Sequence, residues 1–238
     1  MTTMRGAVAD DRLPYLVFIG LSLAIIVLAG VLYRVDSRPF QKYLGSLNPL
    51  VTIFCIALFG LLPVRFLLSR GWFVINAKAA LRGVLLSAIL AALFAAIMVL
   101  VDRKVVFSAS LNVPFPQSLL FYPAIGYVVE ILFHILPLAV LLFSLTSLFK
   151  ITDYKVTIWL CILGVSLLEP IYQTLGFVGK YPVWSVVYVG LHLLLFNLLQ
   201  LSIFRRYDFI SMYSFRLVYY LLWHVVWGHV RLGLLFHL

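Results

Sequence analysis

The chain has 238 residues, of which 64% are hydrophobic and only 11% charged, and its mean hydropathy is +1.12. A water-soluble domain carries about a quarter charged residues, so composition excludes a soluble enzyme and points to an all-α, polytopic bundle in a lipid bilayer. The formal net charge of +10 does not imply a nucleic-acid partner, because the basic residues gather at the ends of apolar runs, where they meet anionic headgroups.

Seven runs reach the roughly 18 apolar residues that mark a spanning helix: 14–33, 50–69, 80–101, 119–149, 156–178, 184–204 and 212–236. The first is longer than the apolar region of a secretory signal and no small-residue cleavage site follows it, so it reads as a retained helix. The fourth is overlong and contains Pro123 and Pro137. It reads either as one kinked span or as a re-entrant piece followed by a span. The loops leave no room for a separate soluble domain, so residues 1–238 read as a single membrane domain. Cys55 and Cys161 fall inside spans without metal-ligand spacing and read as reduced structural thiols.

Basic residues on the N-terminal side are Arg5, Arg12, Arg65, Arg70, Lys78, Arg82, Lys150, Lys155, Arg205 and Arg206. On the other side are Arg34, Arg38, Lys42, Arg103, Lys104, Lys180 and Arg231. The positive-inside rule then places the N-terminus in the cytoplasm. Tyr33, Trp72, Phe73, Tyr181, Trp184, Tyr207 and Tyr213 mark the span borders, as an interfacial aromatic belt does.

The chain contains two glutamates, Glu130 and Glu169, and both lie inside spans. Ionisable groups at membrane depth are costly and face a bundle interior or a wet cavity. Glu130 and His134 are one helical turn apart on one face. So placed, they can share a proton, position a water or offer two ligands to a divalent metal; the bland alternative is a neutral glutamate bonded to histidine for packing. Glu169 precedes Pro170, which removes one helical N–H and displaces the Ser166 carbonyl. Ser166, Glu169, Tyr172 and Gln173 form a polar stripe; the alternative is a helix end at which Glu169 reaches the interface.

His192 and Asn197 in the sixth span point about 140° apart and read as separate interhelical hydrogen-bonders. In the last span Arg216, Tyr220, His224 and Gly228 recur every four residues, and an arginine and a histidine so placed could neutralise or co-ligate with the two glutamates. His224 lies near mid-span, whereas His229 and Arg231 lie towards the end and read as headgroup contacts.

The order of a Glu-bearing helix, a second polar helix, a basic turn and a His-bearing helix resembles the CAAX-protease and bacteriocin-processing family of intramembrane endopeptidases, over residues 120–230. That family's motifs are EExxxR, FxxxH and HxxxN. Val129 to His134 is similar to the first, with valine for the leading glutamate and histidine for the arginine. Glu169 to Gln173 falls where the second belongs, without its histidine. His224 matches the histidine of the third, with Gly228 for the asparagine, and Arg205 to Phe209 is similar to the basic turn. The resemblance implies hydrolysis of a peptide bond by a Glu-activated water. Glu130, Glu169 and His224 would be catalytic, and Arg216, Tyr220 and Gln173 would bind substrate. Glu130, His134, Glu169 and His224 would offer a site for one divalent metal such as zinc, and the substrate would be a membrane-associated peptide or protein. Two other readings stand beside it: a non-catalytic membrane protein of the same fold, acting in assembly, immunity or interaction, and a proton-coupled transporter. Fold resemblance alone does not confer activity.

Overall fold

The computed structural model describes residues 12–75, 80–151 and 153–237. It is 83% helical, and no strand occurs among the described residues. Among the described residues seven helices are long and apolar enough to cross a membrane: Pro14–Val35, Pro49–Ser69, Leu81–Val105, Ser118–Leu148, Tyr154–Leu175, Val183–Arg206 and Phe209–Phe236. Each lies within a few residues of its expected run. The protein is a multi-pass helical membrane bundle.

In chain order the helices are α1 (Arg12–Val35), the short α2 (Arg38–Leu44), α3 (Pro49–Ser69) and α4 (Ala80–Val105), then α5 (Ser118–Val129) and α6 (Leu136–Phe143). They continue with α7 (Tyr154–Ser166), α8 (Leu168–Leu175), α9 (Val183–Arg206), α10 (Phe209–Tyr220) and α11 (Gly228–Phe236). Short polar residues start several of them. Asn48 accepts from the Leu50 and Val51 amides ahead of Pro49, Asp153 accepts from Val156, and Asp208 accepts from Ser211 at 2.7 Å. Each satisfies N–H groups that a helix start leaves without partners.

The fourth span is one continuous helix, which removes the re-entrant alternative. A π-helical segment, Glu130–Ile135, joins α5 to α6. Pro137 has no N–H for the Phe133 carbonyl, and just before it the Leu136 amide reaches back five residues to Ile131. The last span is built the same way, with the π-helical Leu221–Trp227 between α10 and α11. The fifth breaks at Leu167, between α7 and α8.

The last span is the hub: α10 packs against α4, α9 and α5. Gly83 lets α4 approach α10, because a Cβ there would overlap the Ser211 side chain. On the other flank α1 and α3 lie against α5, α3 also meets 130–135 and α6, and α7 and α8 pack on α9. Phe18, Phe121, Tyr127, Phe204 and Phe209 fill the interior. Phe59, Leu62, Leu85, Leu93, Val187 and Leu195 point outward and exposed, as lipid-facing side chains do. Outside the spans, a hydrogen bond from Arg38 holds the Asp36 carboxyl below its ordinary range.

Candidate functional site

Both glutamates face the bundle interior, and they meet. Glu130 is fully buried at the start of the π-helical segment, and Glu169 is 2% exposed near the start of α8. The group that joins them is Arg216 of α10, itself 1% exposed. Its Nε donates to Glu130 Oε1 at 2.5 Å. Nη1 donates to Glu169 Oε1 at 3.1 Å and to the Tyr220 hydroxyl at 3.0 Å. Nη2 donates to Glu169 Oε2 at 2.8 Å and to Gln200 Oε1 at 3.2 Å. A guanidinium has five N–H donors, and all five are taken. Two amides complete the shell: Gln200 Nε2 donates to Glu130 Oε1, and Gln173 Nε2 donates to Glu169 Oε1 at 2.8 Å.

His134 sits between the carboxylates and is fully buried. Its Nδ1 is 3.1 Å from Glu130 Oε2 and its Nε2 is 3.9 Å from Glu169 Oε2. Neither ring nitrogen, nor Glu130 Oε2, has an aligned hydrogen-bond partner, so the contacts are close without being good bonds.

The proline at 170 has the consequence its chemistry demands. The Ser166 carbonyl loses its helical donor and accepts instead from Asn197 Nδ2 of α9, at 3.4 Å. His192 is also an interhelical bonder, placed between the hydroxyls of Tyr188 at 3.2 Å and Tyr219 at 3.3 Å.

His224 does not join the cluster, which corrects the four-residue set. Its ring stacks on Tyr122, with centroids 4.5 Å apart and planes at 18°. Its Nδ1 lies 3.3 Å from Asn112 Nδ2, and its carbonyl accepts from the same amide. The four residues expected to offer a metal site are therefore not brought together as one set. Among the described residues no three His, Cys, Asp or Glu side chains are arranged to hold an ion, and the carboxylates turn their oxygens to a guanidinium instead. Arg216 is likewise no free substrate anchor, since it has no donor left to offer.

Arg231 is a second correction. Rather than reaching headgroups it is fully buried. Nε and Nη2 fork onto Asp102 at 2.7 and 2.9 Å, Nη1 donates to Asn112 Oδ1 at 2.9 Å, and Nη2 also donates to the Phe107 carbonyl. Trp227 Nε1 adds a 2.7 Å bond to Asp102. This knot ties the end of the last span to the 106–112 loop. There Val106 is held at φ +53°, a conformation that disfavours a β-branched residue.

A cavity of about 100 Å³ lies between the two arginine clusters. Glu169, Gln173, Arg216, Tyr220 and His224 line it, together with His192 and a ring of aromatic side chains. Glu130 and His134 do not line it. Sequence reading missed Gln200, Asn112 and Asp102. For Gln200 a signal was present: it stands three residues after Asn197 in an apolar run, on the same helical face.

Comparison with protein-family models, with curated proteins and with solved structures finds no match to this chain.

Proposed function

We propose that the chain is a multi-pass membrane protein that keeps a core resembling that of the CAAX-protease family and uses it for binding rather than peptide hydrolysis. The observation that supports this is the saturation of Arg216. A general base must hold a water within hydrogen-bond reach of the bond to be cleaved. Glu130, the residue that the resemblance assigns as base, is instead buried behind Arg216 and Gln200 and does not reach the cavity. A carboxylate in that state contributes to the fold.

One observation favours the hydrolytic reading as second. Glu169 does line the cavity, and His134 behind it has both nitrogens without aligned partners, so a substrate that displaced Arg216 would uncover a carboxylate beside an imidazole. Reconstituting the full chain in liposomes with a panel of membrane-anchored fluorogenic peptides separates the two. The binding reading expects no cleavage, with zinc or without. Cleavage by the wild-type protein that disappears in Glu130→Gln or Glu169→Gln, with both variants still folded, would overturn it.

A further inference from the structure

Arg205 is a half-buried cation without a counter-ion. It stands in the last turn of α9. The two buried arginines, Arg216 and Arg231, each meet a carboxylate, and Arg70 donates to the Ser147 hydroxyl. Arg205 forms no ion pair among the described residues. Its Nη1 is closed off from solvent and has no acceptor, and a buried donor left unmet is costly, the more so on a charged group. What holds the side chain is a ring: the guanidinium carbon lies 4.8 Å from the centroid of Trp159 on α7. An arginine stacked on a ring keeps its N–H fork for an anion.

Trp159 belongs to a column on α7 and the turn that follows it. Lys155, Trp159, Leu163 and Leu167 succeed one another at four-residue spacing, and all four are exposed. Residues four apart lie above one another on a helix. The column therefore runs from a cation at the membrane surface, through an indole, to leucines at lipid depth. α7 begins and α9 ends on the same membrane face, and the two helices pack together, so Arg205 joins Lys155 at the charged end. The acids described on that face are Asp153 and Asp208. Asp153 accepts from the Val156 amide, and the buried Asp208 accepts from the Ser211 amide. Cations, then a ring, then an apolar stem is the order that matches the phosphate, glycerol backbone and acyl chain of a phospholipid. On the positive-inside expectation this is the cytoplasmic face, whose leaflet is rich in anionic lipid.

We infer that Arg205, Lys155 and Trp159 form a binding site for one anionic phospholipid. Its phosphate lies against the two cations and an acyl chain runs along Leu163 and Leu167. Basic pockets between spans are where anionic headgroups dock. The site stands apart from the central cluster and does not depend on how that cluster is used.

Native mass spectrometry of the full-length protein, released from neutral detergent micelles, counts bound lipids and tests the site with phosphatidylglycerol and phosphatidylcholine. Phosphatidylglycerol is expected to bind at least about tenfold more tightly, because its headgroup carries no positive charge to repel the two cations. Arg205→Gln is expected to weaken that binding about fivefold, the effect of one basic residue near an anionic surface. That change also removes the stacking contact, so Lys155→Gln, at an exposed position, supplies a second arm with a similar expected loss. Arg206→Gln removes the same charge from an exposed neighbour and should leave binding nearly unchanged. Inorganic phosphate in excess should not displace the lipid, because it has no chain to lie on the leucines. Displacement by phosphate would make this a site for a soluble anion and overturn the lipid assignment. Equal affinity for the two lipids, or equal losses in Arg205→Gln and Arg206→Gln, would overturn the site itself and leave only attraction to the protein's net charge.

Discussion

Arg216 decides how the core behaves. Removing one member of a buried charge set leaves an uncompensated ion and costs about 3–5 kcal/mol, whereas replacing the whole set with neutral groups of similar shape is often tolerated. Arg216→Met strands both carboxylates, so we expect a loss of that size in denaturant titrations of the protein in micelles. The triple variant Arg216→Met, Glu130→Gln, Glu169→Gln should recover most of it. Arg216→Lys should fall between, because an ammonium keeps the charge but lacks the planar fork that serves Glu130, Glu169, Tyr220 and Gln200 together. A silent Arg216→Met would mean that the glutamates are neutral and that the ion pair does not hold the core. Glu130, His134 and Glu169 could be found from sequence because a charge within an apolar run stands out. Arg216 could be offered from sequence as a group to neutralise them, but not chosen with certainty over the other arginine of the span. Arg216 and Arg231 sit in the same helix, and only tertiary packing decides that one meets Glu130 and the other Asp102.

Breaks in the helices place these side chains, and the breaks were legible to different degrees. The spans themselves could be read closely because lipid demands long, internally bonded apolar helices. Pro137 and Pro170 announced irregularity, but not its form. The widening of 130–135 into a π-helix, and the similar segment 221–227 with no proline of its own, depend on packing against neighbours. At Pro170 the compensation is specific: the freed Ser166 carbonyl is served by Asn197. Leaving a buried acceptor unmet costs about 1–3 kcal/mol, so Asn197→Leu should destabilise by that order. Asn197 also contacts Glu169, so the single variant mixes two effects and a double-mutant cycle is the sharper measurement. In a Pro170→Ala background the restored backbone amide can serve Ser166, and the cost of Asn197→Leu should shrink. Equal costs in the two backgrounds would show that Asn197 acts through Glu169 alone.

On the scale of the whole molecule, seven candidate spans among the described residues put residues 36–48, 106–117 and 176–182 on one membrane face and 70–75, 149–151 and 207–208 on the other. Of the basic residues read for orientation, Arg5 and Lys78 lie outside the described residues. Arg231 leaves the count, because a buried arginine paired with Asp102 exerts no pull at the surface. That correction falls on the 36–48 side, so it widens the difference by which Arg65, Arg70, Arg82, Lys150, Lys155, Arg205 and Arg206 are expected towards the cytoplasm. Single cysteines at Ser46 and Ile151, both exposed loop positions, test this once Cys55 and Cys161 have been replaced. We expect a membrane-impermeant maleimide to label Ser46→Cys on intact cells and Ile151→Cys only after permeabilisation. The reverse pattern would turn the molecule over.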